Sequence, residues 1–302
     1  MANLQELRSH IRSVTDTKKI TTAMYFISST KLRRAREELE TTRPYFDALH
    51  SEIKRIFRTV DEIDSPYFYP KGGGELPPGG CACLVLTADK GLAGDYNMGV
   101  IRQALALLEK EPNTRLYVAG EMGRRYLREH GIPFEEDFTF SCQNPTLQTA
   151  REITARFLPD YQQRVLTRVF IIYTDLKNSL RHAVVTDRLL PFHHDRFVDP
   201  PDYERPVTEP FEFSPSVEEV LHGVIPIYLI GYVYSALVDS YCSEQNARMI
   251  AMKAAGENAD RLLQSLASEY NRARQNKITQ ELTELSSGAR VQRMKHRLEG
   301  RT

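Results

Sequence analysis

The chain carries no net charge: its 40 basic and 40 acidic side chains cancel over 302 residues. No global field therefore draws it to nucleic acid or to an anionic membrane. Cysteine is scarce, and Cys81, Cys83, Cys142 and Cys242 follow no framework spacing. Cys81 and Cys83 would share one face of a strand, which offers two ligands where a structural zinc takes about four. Buried, reduced thiols of a cytosolic protein are expected instead. No apolar run of signal-peptide type opens the sequence. The most apolar later run, "VIPIYLIGYVY", is interrupted by Pro226 and Gly231 and is too short to span a bilayer. A soluble, unexported chain is expected.

What the sequence does hold is heptad order. Leu4, Leu7, Ile11 and Val14 lead a stripe continued by Leu32, Ala35, Leu39, Phe46, Leu49, Ile53, Ile56 and Val60. An apolar stripe kept in phase over so many heptads must be covered by another helix, as in a coiled coil. An ordinary helix pair in a compact domain is the alternative. In the middle, "KKITTAMYFISSTKLRRAR", residues 18–36, the stripe turns polar at Lys18, Thr21, Tyr25 and Ser28, and Thr42 is a further exception. Ile20, Met24 and Ile27 form a second apolar stripe, either drift of the same seam or a face turned to another surface. Pro44 would remove a helical hydrogen bond at a cost of about 3 kcal/mol, so a kink or break is expected near residues 41–43. The cations of "KLRRAR" read as a solvated face or as a docking surface for an acidic partner.

The period then changes. "DSPYFYPKGGGELPPGG", residues 64–80, ends the first helix and marks a boundary. "CACLVL", "RLYVAG", "RVFIIYT" and "HAVVT" are short β-rich runs, with helical stretches such as 99–110 and 145–164 between the first three. Such alternation predicts an α/β domain on a largely parallel sheet, with the Val184 strand pairing by hairpin. A second Pro-rich loop, "DPPDYERPVTEPFEF", closes it. Ser214 and Pro215 are the expected N-cap and first position of the helix that follows, with Glu218 and Glu219 in its opening turns. From about residue 227 onward there is no proline. Met252, Ala255, Ala259, Leu262, Leu266 and Ala273 keep heptad phase, and Ile278, Leu282, Leu285 and Ala289 resume after a five-residue step that alters winding. The expected organisation is a first helix over 1–60, a linker over 61–80, an α/β domain over 81–213 and C-terminal helices over 214–302. Both long helices are tethered to the α/β domain at their inner ends, so mutual covering of their seams makes them antiparallel. The tip of the last helix, with Val291 and Met294, should then be exposed unless a bearing surrounds it.

Catalytic patterns are sparse. "TADKGLAGDYN", residues 87–97, places Gly91 and Gly94 between a strand and a helix, where backbone N–H groups could hold a phosphate. It lacks both the Lys-Ser/Thr ending of a P-loop and a full GxGxxG, so a tight strand-to-helix turn explains it adequately. His193, His194 and Asp195 are consecutive in a loop, without the spacing of a fixed metal site. No cofactor and no metal are expected.

At these segments the chain resembles a known family. "KKITTAMYFISSTKLRRAR" is similar to the N-terminal helix motif of the gamma subunits of F-type ATP synthases. "EQNARMIAMKAAGENADRLLQSLASEYNRARQNKITQELTELSSGA" matches their C-terminal signature nearly throughout, and "ADKGLAGDYN" is similar to their Gly-containing loop. The resemblance implies a long antiparallel coiled coil of N- and C-terminal helices with an inserted Rossmann-like α/β domain. It implies a rotor that couples ion flow through a membrane c-ring to ATP synthesis or hydrolysis, itself not catalytic. Implied partners are the alpha and beta subunits of the catalytic ring, an epsilon subunit and the c-ring, with no nucleic acid and no direct membrane insertion. The implied location is the cytoplasmic face of a bacterial cell membrane, peripherally bound. Residues implied in contact with beta are Met24, Lys31, Arg33, Arg34, Arg248, Gln275 and Thr279, with Asp89, Lys90, Gly91, Gly94 and Asn97 as a further contact loop. "YFISS" departs from the usual small, apolar segment after Met24, and Ala93 stands where a cysteine is common. A nucleotide-binding α/β enzyme with coiled-coil arms is the alternative, and a DNA-binding basic coiled coil fits a neutral chain poorly.

Overall fold

The computed structural model describes residues 4–59, 65–69, 79–178, 181–193, 197, 214 and 216–299. Val60, most of the 64–80 cluster, His194, Asp195, Pro215, the whole of the later Pro-rich loop and the side chain of Met294 lie outside what is described. The elements run α1 (Leu4–Thr59), β1 (Gly80–Leu86), α2 (Tyr96–Lys110), β2 (Thr114–Ala119), α3 (Glu121–Glu129), α4 (Leu147–Thr154), α5 (Leu158–Gln162), β3 (Leu166–Asn178), β4 (Arg181–Leu190) and α6 (Val217–Glu299). Two compact units result, Met1–Phe26 with Ile250–Thr302, and Ile27–Met249, so the division cuts both long helices.

In the first unit the α1 seam turns inward as its spacing predicts. Leu7 and Thr21 are buried, and Leu4, Ile11, Val14, Lys18 and Tyr25 are half-buried. Lys18 Nζ meets Asp260 Oδ1 at 2.5 Å, and Arg8 Nε donates to the Tyr270 hydroxyl at 2.8 Å. Following α1 back from Lys18 to Arg8, the partner on α6 advances from Asp260 to Tyr270, so the helices run antiparallel. A polar seam is thus served by ion pairing and by small residues: a Cβ added at Gly256 would lie 3.8 Å from Thr21 Oγ1. On α6, Met252, Ala259 and Leu266 are buried, but Leu262 is exposed and its neighbour Leu263 faces inward instead. Heptad counting drifts against the 3.6-residue turn of a straight helix, which accounts for the one-residue displacement. Further on, Ile278, Leu282, Leu285 and Val291 are exposed.

The second unit is built on a four-stranded sheet in the order β2-β1-β3-β4. β1 lies parallel to β2 and β3, and β4 returns antiparallel to β3 as the expected hairpin. Alternate residues of the strands separate into two cores. Cys83, Val85, Val118 and Ile172 pack with α2 and α3, whereas Leu84, Leu86, Ile171 and Leu189 pack with α1 and α6 through Ile53, Leu229, Val233 and Leu237. All four cysteines are free and buried.

Four local expectations change. α1 continues through Pro44 without a break; Ile53 and Ile56 are buried and Phe46 and Leu49 pack against the core beyond it, and this packing outweighs one lost bond. α6 begins at Val217, with Ser216 Oγ accepting from Glu219 N at 3.2 Å, so Ser216 rather than Ser214 is the cap. α6 also continues through Pro226 and Gly231, making a helix long and apolar enough by composition to cross a membrane, but half of its most apolar window is buried within the protein. Gly231 is a contact and not a breaker, because an added Cβ would stand 2.1 Å from the Phe46 ring of α1. The 145–164 stretch forms two short helices, since Pro159 opens a new one at α5.

Candidate partner-contact site

The loop over 87–97 is held from three sides. The Asp89 carboxylate accepts from Ser141 Oγ at 2.7 Å, from Cys142 N at 2.9 Å and from Glu121 N at 3.3 Å. Asn97 Oδ1 accepts from Ala88 N at 2.9 Å. Gly94 adopts φ of +60°, the left-handed region that glycine enters freely. Leu92 adopts φ of +65° while 63% exposed, so the loop presents a large apolar side chain in a conformation costing about 1–2 kcal/mol.

The third side is Arg248 of α6. Its Nη2 donates to Lys90 O at 2.9 Å and to Gly91 O at 3.1 Å, and Nε donates to Gly91 O at 3.2 Å. Its Nη1 pairs with Glu244 Oε1 at 2.6 Å, with the two side chains only 8% and 1% exposed. Burial pushes the Glu244 carboxyl up, and the Arg248 guanidinium pulls it partly back. The positive charge of half-buried Lys31 on α1 acts on Glu244 in the same direction. Arg248 therefore has its donors committed inside the chain, where it secures the loop from beneath.

A phosphate would meet a carboxylate here. Asp95 takes the N-cap of α2 and pairs with Arg102 at 2.6 Å, at the end of the helix where an anion would otherwise sit. His193 stacks on Tyr69 with ring centroids 4.9 Å apart, and its Nε2 lies 3.3 Å from Arg188 Nη1.

The structure thus brings Lys90, Gly91 and Arg248 together, with Asp89, Gly94 and Asn97 on the same loop, and the charge of Lys31 acts on Glu244 beside Arg248. Arg33 and Arg34 point outward with i,i+4 pairs to Glu37 and Glu38, at 3.9 Å and 3.2 Å, in the exposed class that contributes little. Met24, half-buried, and Gln275 and Thr279, both exposed, belong to the first unit. Ile20 and Ile27 of the second apolar stripe are 60% and 55% exposed, so those two positions face outward, with Met24 between them half-buried. Glu244 was not singled out from sequence, although a glutamate four residues before an arginine on a helix is a readable signal.

An α/β sheet inserted between long terminal helices that pair antiparallel defines the fold class of ATP synthase central stalks. The chain is similar in fold to the central stalk and c-ring structure of the Tetrahymena thermophila mitochondrial ATP synthase, with a TM-score of 0.54, 23% identity, and coverage of 78% of this chain and 99% of that one. It is similar also to a chain of the Euglena gracilis mitochondrial enzyme, with a TM-score of 0.61, 14% identity, and coverage of 93% and 92%. The ATP synthase family model matches residues 3–291. The ATP synthase gamma chain of Caldanaerobacter subterraneus subsp. tengcongensis is 36% identical over 95% of this chain and 99% of its own. That of Alkaliphilus metalliredigens is 35% identical over 95% and 97%. The chain belongs to the ATP synthase gamma chain family.

Proposed function

We propose that this chain is the rotor of an F-type ATP synthase, turning within a ring of alpha and beta subunits while its α/β domain engages an epsilon subunit and the membrane c-ring. It acts as a non-catalytic subunit of that enzyme complex, on the cytoplasmic face of a bacterial membrane, with residues 1–60 and 214–302 as shaft and 81–213 as foot. The observation that carries this reading is the exposed apolar run Leu282, Leu285 and Val291 toward the end of α6, which starts beside the last turns of the groove that α6 forms with Leu4 and Leu7 and continues past it. Such a run calls for a surrounding bearing. Ile20, Met24 and Ile27 offer the ring an apolar face, and Arg33 and Arg34 offer cations to acidic segments of beta. Gln275 and Thr279 supply polar contacts. Lys90, Leu92 and Gly94 form the contact loop, which Asp89, Asn97 and Arg248 hold in shape.

The test is co-purification. A tagged copy of the chain expressed with alpha and beta subunits should carry both through successive columns and confer nucleotide hydrolysis on the assembly. Recovery of the chain alone, or ATP turnover by the purified chain itself, would overturn the reading.

A further inference from the structure

In its first half, around residues 236–246, α6 is buried on nearly every side, and two of the buried residues are serines. Ser240 and Ser243 are both fully buried, in the interior of a helix where serine is a weak former. Their hydroxyls reach into the sheet. The parallel register between β1 and β3 ends at Val85 with Ile172, and β1 itself ends at Leu86, so Thr174 lies beyond the last β1 residue. There the main chain of Thr174 turns to α6: its N–H donates to Ser240 Oγ at 3.3 Å, and its carbonyl accepts from Ser243 Oγ at 3.1 Å. Two side chains of the helix thus stand in for a neighbouring strand. At the same turn the Tyr96 hydroxyl, at the start of α2, donates to Ser240 O at 3.1 Å. Burial pushes the Tyr96 phenol well up, which keeps its proton in place as a donor.

The neighbouring contacts of α6 with the sheet through Leu229, Val233 and Leu237 are apolar and non-directional, and besides them the Tyr232 hydroxyl donates to Asp187 Oδ2 of the edge strand β4 at 2.5 Å. Apolar packing holds by shape and sets no particular pair of atoms against each other. Hydrogen bonds to fixed main-chain groups do, because they depend on distance and angle. We propose that Ser240 and Ser243, bonded to the main chain of Thr174, are positioning residues that lock α6 to the sheet and carry torque between the α/β domain and the helix. This rests on the rotor reading. It adds the point at which the load crosses from sheet to helix, one turn before Glu244 and Arg248 secure the 87–97 loop.

The test uses the whole membrane-bound complex carrying Ser240→Ala with Ser243→Ala. Hydrolysis by the complex without a gradient puts little load on the joint and should stay at the level of the unaltered complex. ATP synthesis driven by the ion gradient, and ATP-driven pumping against a gradient, should fall several-fold. In the variant, exchange of the Thr174 amide hydrogen should quicken by about five-fold, the scale of one lost bond. Unchanged synthesis and pumping would overturn the proposal, and so would an equal fall in loaded and unloaded rates, which marks a merely structural role. If the double variant fails to assemble, Ser243→Ala alone, which retains the Ser240 bond, is judged by the same ratio. Failure of the rotor reading is separable, since the unaltered chain would then not assemble with alpha and beta at all.

Discussion

Arg248 illustrates how a residue's role changes once its surroundings are known. By resemblance it is a surface contact, but its guanidinium lies between Glu244 and two loop carbonyls and is nearly inaccessible. Arg248→Ala would leave Glu244 buried without its cation, a loss of about 3–5 kcal/mol for a pair of this kind. The thermal midpoint of the isolated chain should drop clearly, with Arg248→Lys intermediate because an ammonium cannot reproduce the planar fork. A midpoint unchanged by Arg248→Ala would show that the pair carries no such weight. Asp239 supplies a second test at this scale. Burial, with the Asp175 carboxylate adding to it and Arg43 opposing, pushes its carboxyl up from 3.8 to about 7. The folded chain therefore keeps a proton that the unfolded chain releases, so stability falls as pH rises from about 4 to about 7 and levels beyond. Asp239→Asn, neutral throughout, should flatten that fall and raise the midpoint at pH 8. Identical pH profiles for the two proteins would contradict the assignment. Little of this was legible in the sequence, because hydrophobic periodicity registers apolar positions and passes over the buried polar groups Glu244, Ser240 and Ser243.

Among elements, the long helices were the most legible. Leu4 through Ile56 on α1 face inward or are half-buried at every seam position, including Lys18, Thr21, Tyr25, Ser28 and Thr42. A stripe repeated over many turns averages out local exceptions, and for this reason the polar interval did not hide it. Periodicity is a weaker guide where a single residue decides. Pro44 and Pro226 suggested breaks, but both helices continue through them, with tertiary packing on either side. Pro159 was passed over in a short helical stretch, where less packing opposes it, and there it did begin a new helix. The strands were found by composition and the hairpin by proximity. The loop over 87–97 was found by its glycines, but its dependence on α6 was not. Arg248 lies well over a hundred residues farther along the chain, and no local pattern links it to the carbonyls of Lys90 and Gly91.

For the whole molecule, family membership and the exposed apolar end of α6 point the same way: the chain is one part of a machine, and some of its surface is made to be covered. Within the first unit Leu282, Leu285 and Val291 are open, within the second Ile27 is open as well, and the strained, exposed Leu92 sits on a loop that buried Arg248 holds. On the proposed rotor reading the chain moves against its neighbours, and the sheet turns with the stretch of α6 around Ser240 and Ser243 that is bonded to Thr174. The most direct measurement is single-molecule observation of a probe attached to an exposed position of α2, such as Arg102, with the catalytic ring fixed to a surface. On addition of ATP the probe should turn in one direction, pausing at discrete positions. A probe that remains fixed while the ring hydrolyses ATP would contradict the account.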